Sequence, residues 1–178
     1  MAKRGVLPVQ AIVLLLFGVF LPGCPQSDEE QMSAGGAVPP GGGSEINALL
    51  KDTVVLIETE LHFPDGSIDG TGSGFVINNK GRVITNAHVV APEFTDDDGN
   101  RHLATGRTVK VVFHPGTDLE ETLQAEVVRE NEDLDLALLK VAKETPRFLD
   151  LADSSTVQEL TRIICAGHPA GLREISLR

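Results

Sequence analysis

The chain has 178 residues, of which 15 are Lys or Arg and 26 are Asp or Glu, for a formal net charge of −11. That balance, with 4% aromatics and neither Trp nor Tyr, argues against a nucleic-acid binder, which needs a basic surface or a base-stacking platform. A hydrophobic content of 41% fits a globular protein, and two cysteines cannot build a disulfide framework.

Residues 1–23 read as an export signal. Lys3 and Arg4 give a positive start, and residues 11–21 (AIVLLLFGVFL) are an unbroken apolar run. A membrane-spanning helix needs about 20 residues, so this run fits the apolar core of a signal peptide. It ends in Leu21-Pro22-Gly23-Cys24, which resembles the bacterial lipobox. The resemblance implies that Cys24 is lipidated and becomes the mature N-terminus, attaching the protein to a membrane of the bacterial envelope. Cys165 is then the one remaining thiol, read as a small buried hydrophobe. Residues 24–44 follow as a tether: positions 25–44 hold five Gly and three Pro, with almost nothing to pack into a core.

Residues 45–178 are left for a folded domain. A short helix is expected over 45–51, with Ser44 as its cap. Strands are expected at 53–59 (TVVLIET), 72–78 (GSGFVIN), 82–85 (RVIT), 108–113 (TVKVVF) and 122–128 (TLQAEVV). Residues 134–141 (LDLALLKV) are more uniformly apolar and are expected to be buried on both faces. The last apolar run is 160–166 (LTRIICA). Turn signals stand at Pro64-Asp65-Gly66 and Asn79-Lys80-Gly81. Strands this close, without long helices, indicate an all-β antiparallel barrel or sandwich. Residues 91–107 are very polar and read as a surface loop. Counted from Asp96, an EF-hand would need Gly and Glu where Arg101 and Arg107 stand, so residues 96–100 are read as a turn capped by Asx side chains.

Residues 70–90, GTGSGFVINNKGRVITNAHVV, closely resemble the segment around the catalytic histidine of HtrA (Deg-type) trypsin-like serine proteases, where a G-x-G-S-G-F strand pairs with one ending in T-N-x-H-V-V. The resemblance implies a chymotrypsin-type fold and makes His88 the general base. Ser73 is not at the nucleophile position. In the same family a D-L-A-L motif opens with the acid that orients the histidine, which assigns Asp135 in Asp133-Leu134-Asp135-Leu136-Ala137-Leu138. Residues 151–155 (LADSS) and 164–172 (ICAGHPAGL) look like segments that lead into the family's second barrel, with Ala152 and His168 departing from its usual Gly and Asn.

The family's nucleophile lies in a later G-[ND]-S-G-G-P turn. After Asp135 the serines here are Ser154, Ser155 and Ser176, none followed by Gly. The expectation is therefore a first barrel plus the start of an incomplete second one, carrying base and orienting acid without a serine nucleophile or oxyanion hole. Such a domain would be inactive alone. The alternative is a short pseudoprotease lipoprotein that binds peptides or proteins. A truncated barrel would leave Ile163, Ile164, Ile175 and Leu177 without partners. No cofactor is implied. His62, His102, His114 and His168 belong to no catalytic motif, and no H-x-x-x-H pair suggests a metal.

Overall fold

The β-branched run at 53–59 forms a strand from Val54 onward, Thr53 closing the helix before it, and that strand continues beyond the run. In the computed structural model, which describes residues 42–96, 98–157, 159 and 163–177, β1 spans Val54–Phe63. The extension follows from alternation: Leu61 is buried while Glu60 and His62 are less so. Helix α1 (Gly42–Thr53) precedes it. Ser44 therefore lies inside α1 and does not cap it, a correction to the sequence reading.

Strand β2 (Gly66–Val76) pairs antiparallel with β1, from Val54 opposite Phe75 to Phe63 opposite Gly66. Asn78 then turns the chain: its side-chain oxygen accepts from the backbone N–H of Lys80 at 2.9 Å and of Arg82 at 3.2 Å. Gly81 completes the turn with φ +72°, and a Cβ there would stand 2.5 Å from the Lys143 carbonyl oxygen. Both facts require glycine. Strand β3 (Arg82–Thr85) leads into α2 (Ala87–Val90), a single helical turn.

The polar stretch 91–107 is not simply a loop. It contains a small hairpin of β4 (Glu93–Thr95) and β5 (Arg101–Leu103). Arg101 pairs with Glu93 at 2.5 Å, and Phe94 stacks on His102 with ring centroids 4.8 Å apart. Asp96 does make the Asx turn, accepting from the backbone N–H of Asp98 and Asn100. Its carboxyl is pulled down to about 2, chiefly by the His102 ring and then by Asn100.

Strands β6 (Gly106–Phe113), β7 (Glu121–Asn131) and β8 (Leu136–Val141) complete a closed antiparallel barrel in the order β1-β2-β3-β8-β7-β6. The expectation for β8 is corrected. Ala137, Leu139 and Val141 point into the core, while Leu136 is 43% exposed. β1 is the strand covered on both faces: Val55 and Ile57 enter the barrel core with Val76, Val83, Val111 and Leu139, while Val54 joins a second cluster.

That second cluster is where the C-terminal arm docks. It comprises Leu50, Val54 and Ala166, with Ile46, Ile164 and Ile175 packed against it. The arm carries two 3₁₀ turns (Ser154–Thr156 and Pro169–Gly171) and a two-stranded sheet of β9 (Ala166–Gly167) and β10 (Ser176–Leu177). Part of the 160–166 run lies outside the described residues, and of its described residues only Ala166 enters a strand. Ile164 and Ile175 have partners after all, whereas Ile163 and Leu177 are 44% and 39% exposed. Cys165 is half-buried, not buried.

Candidate active site

Two strand ends bring the site together. Thr85, the last residue of β3, lies opposite Ala137 near the start of β8. The residues just outside that pair, Asn86 to His88 on one side and Asp135 on the other, are thereby brought to one rim of the barrel. Asp135 has φ +50°, a left-handed conformation that aspartate tolerates better than most residues. Its N–H closes a tight turn on the Glu132 carbonyl at 3.1 Å.

Across this junction His88 Nδ1 lies 2.8 Å from Asp135 Oδ2, and the His88 backbone N–H donates to Asp135 Oδ1 at 3.0 Å. Asn86 Nδ2 donates to Asp135 Oδ2 at 2.7 Å. Burial would raise the Asp135 carboxyl, but the Asn86 amide, the His88 N–H and the His88 ring outweigh it and hold the group below its ordinary value. Both side chains remain partly open, at 37% for His88 and 43% for Asp135. A carboxylate at Nδ1 keeps the imidazole proton there, so the neutral ring carries its lone pair on Nε2.

The short helix under His88 is anchored from three directions. Thr59 Oγ1 donates to the Val89 carbonyl at 2.8 Å in the interior. Arg107 donates to the Val90 carbonyl while its guanidinium holds Glu130 through contacts of 2.7 and 2.9 Å. Gly72 lies directly beneath Val89, where a Cβ would fall 2.5 Å from a Val89 methyl. Asn86, Thr59 and Arg107 escape the sequence reading. Only Asn86, two residues before His88, carried a signal there.

Ser73 lies in β2, buried. Its hydroxyl accepts from the His168 backbone N–H at 2.8 Å, so it ties the C-terminal arm to the barrel. His168, read from the sequence as a turn residue in no catalytic motif, precedes the second 3₁₀ turn and is only 2% exposed. Ser154 and Ser155 lie on the first 3₁₀ turn, and Ser176 opens β10. Cys24 lies outside the described residues. Among the described residues, no group of three or more His, Cys, Asp or Glu side chains is placed to hold a metal ion.

Residues 72–178 match the family model of the trypsin-like peptidase domain. The chain is 31% identical over 163 residues to the magnetosome formation protease MamE of Paramagnetospirillum magneticum, a match covering 77% of this chain and 20% of that protein. It is 33% identical over 103 residues to the "Probable periplasmic serine endoprotease DegP-like" of Brucella suis, covering 57% of this chain and 17% of that protein. The crystal structure of Deg5 superimposes with a TM-score of 0.54 at 28% identity, over 76% of this chain and 61% of that one. The chain thus spans about a fifth of the length of these curated relatives.

Proposed function

The chain belongs to the trypsin-like peptidase family, on its HtrA-like branch, and from that premise we propose that His88 and Asp135 are the general base and orienting acid of an envelope serine endopeptidase. The observation that carries this reading is the 2.8 Å contact between His88 Nδ1 and Asp135 Oδ2 at the open rim of the barrel. In the proposed reaction the Nε2 lone pair takes the proton of a serine hydroxyl as its oxygen attacks a peptide carbonyl. The imidazolium that forms is stabilised by Asp135, and the proton then passes to the leaving amine. Substrates are proteins or peptides.

The nucleophile and the oxyanion donors are not among these 178 residues, so the chain by itself forms no acyl-enzyme. Loss of a triad member costs about 10⁴–10⁶ in turnover. We place the domain at the bacterial envelope, lipid-anchored through Cys24 and facing the periplasm or the exterior. The word "periplasmic" in the Brucella relative's name supports the compartment, and the residues 1–24 support the anchor.

The test has two parts. Purified 178-residue protein is expected to leave casein intact, and the coding DNA beyond the Arg178 codon is expected to encode a G-[ND]-S-G-G-P turn. Cleavage by the purified chain that is lost in His88→Ala would overturn the need for a further segment. A clean stop with no such turn would replace the protease reading by that of a peptide-binding pseudoprotease.

A further inference from the structure

We propose that Asn86 is a positioning residue for the His88–Asp135 pair, locking the carboxylate in the one rotation in which a single oxygen serves both the Asn86 amide and the imidazole. This inference rests on the reading of His88 and Asp135 as base and orienting acid.

Three observations support it. Asn86 stands at the N-cap position of α2, yet its side chain makes no capping hydrogen bond there. The side chain is committed instead to Asp135 Oδ2, at 2.7 Å, across 49 positions of sequence. Asp135 Oδ2 also receives His88 Nδ1 at 2.8 Å, while Oδ1 receives the His88 N–H at 3.0 Å. All three donors therefore come from residues 86–88, and a swing of the carboxylate about its χ2 breaks more than one of them.

The third observation fixes the amide itself. Asn86 Oδ1 is buried with no hydrogen-bond partner among the described residues. A buried, unpaired carbonyl oxygen is costly. Rotating the amide would not relieve the cost, because Oδ1 would then face the Asp135 carboxylate at the distance Nδ2 now holds, acceptor against acceptor. The amide has one tolerable orientation, and that orientation aims a donor at the oxygen the histidine uses. An N-cap alone would not need this arrangement, since serine, threonine or aspartate would satisfy the helix end as well.

The experiment is an NMR titration of the full chain with isotope-labelled His, Asp and Asn, in the wild type, Asn86→Ala and Asp135→Asn. The readouts are the His88 Nδ1–H resonance and the Asp135 carboxyl midpoint, neither of which a purely structural role would move. Asn86→Ala is expected to shift the Asp135 midpoint up toward that of an ordinary aspartate and to lose the downfield Nδ1–H signal, as Asp135→Asn does. If Asp135→Asn abolishes that signal while Asn86→Ala leaves both readouts unchanged, the role of Asn86 is overturned and the His88–Asp135 pair stands. If Asp135→Asn also leaves the ring signal in place, the pair itself is refuted and Asn86 with it. Should Asn86→Ala not fold, the wild type decides. One Asn86 Nδ2 proton must then follow the Asp135 titration, and a flat response overturns the proposal.

Discussion

The barrel and the C-terminal arm are held in different ways. The barrel closes on itself: each of its six strands is hydrogen-bonded to two neighbours, around Val55, Ile57, Val83, Val111 and Leu139, all fully buried. The arm has no core of its own. It borrows Leu50 and Val54 from α1 and β1, hangs the His168 N–H on Ser73, and pairs Arg173 with Glu58 and Glu120. The barrel's stability is thus distributed over many residues, while the arm's rests on a few anchors, and local opening follows the second pattern more readily than the first.

The sharpest way to break this contrast is Leu139→Ala. A cavity at a fully buried position that the structure cannot collapse costs about 2–5 kcal/mol. Urea unfolding followed by far-ultraviolet circular dichroism should show a loss of that size, with the arm and barrel lost together. A loss below about 1 kcal/mol would mean that the barrel core is not the stability unit.

A smaller effect distinguishes the arm. Burial lowers the His168 pKa from its ordinary 6.5, and the carbonyls of Leu172, Val54 and Glu174 only partly counter it. The docked arm therefore binds fewer protons than the released one, so its docking is complete above pH 6.5 and weakens as pH falls through the lowered value. Glu120, held below its ordinary value by the Gly116 N–H and by Arg173, stays ionised through that window, so the Arg173 anchor does not switch with it. Hydrogen-exchange protection factors, taken against the intrinsic rate at each pH, should fall at residues 163–177 between pH 7.5 and 5 while those of β1 and β8 hold. His168→Asn should abolish that pH dependence. An equal fall of protection in barrel and arm would erase the distinction between them.

The smallest effect is expected at the β4–β5 hairpin, outside both regions. Arg101 is 71% exposed although its contact with Glu93 is short. Arg101→Ala should leave the melting temperature of the domain unmoved in a thermal melt, because exposed ion pairs are screened and entropically costly. A clear shift would join the hairpin energetically to the barrel.

The same contrast explains what could be read from the sequence. β-branched content and turn residues indicated most barrel strands. Their lengths did not emerge, because in β1 Glu60 and His62 obscure the inward-facing Leu61, and in β8 an almost continuous apolar run hides which parity faces inward. The β4–β5 hairpin was invisible because it is held by an ion pair and a stacked histidine instead of an apolar stripe. His88 and Asp135 stood out only through resemblance to a family, since no local pattern links residues 47 positions apart. Asn86, Thr59 and Arg107 act through contacts of 49, 30 and 17 positions, which exist only once the strands are in register.

The strand order also sets a timetable for synthesis. β1 cannot find its second neighbour until β6, from Gly106 on, has been made, and β3 stays unpaired on one edge until β8, from Ala137 on, has followed. Four of the six pairings are local hairpins, but the two that close the barrel, β1 with β6 and β3 with β8, are not, so a growing chain carries open edges until β8 has emerged. Pairings of this range form slowly and leave sticky intermediates. A polypeptide with this order cannot close its barrel until most of the chain is available.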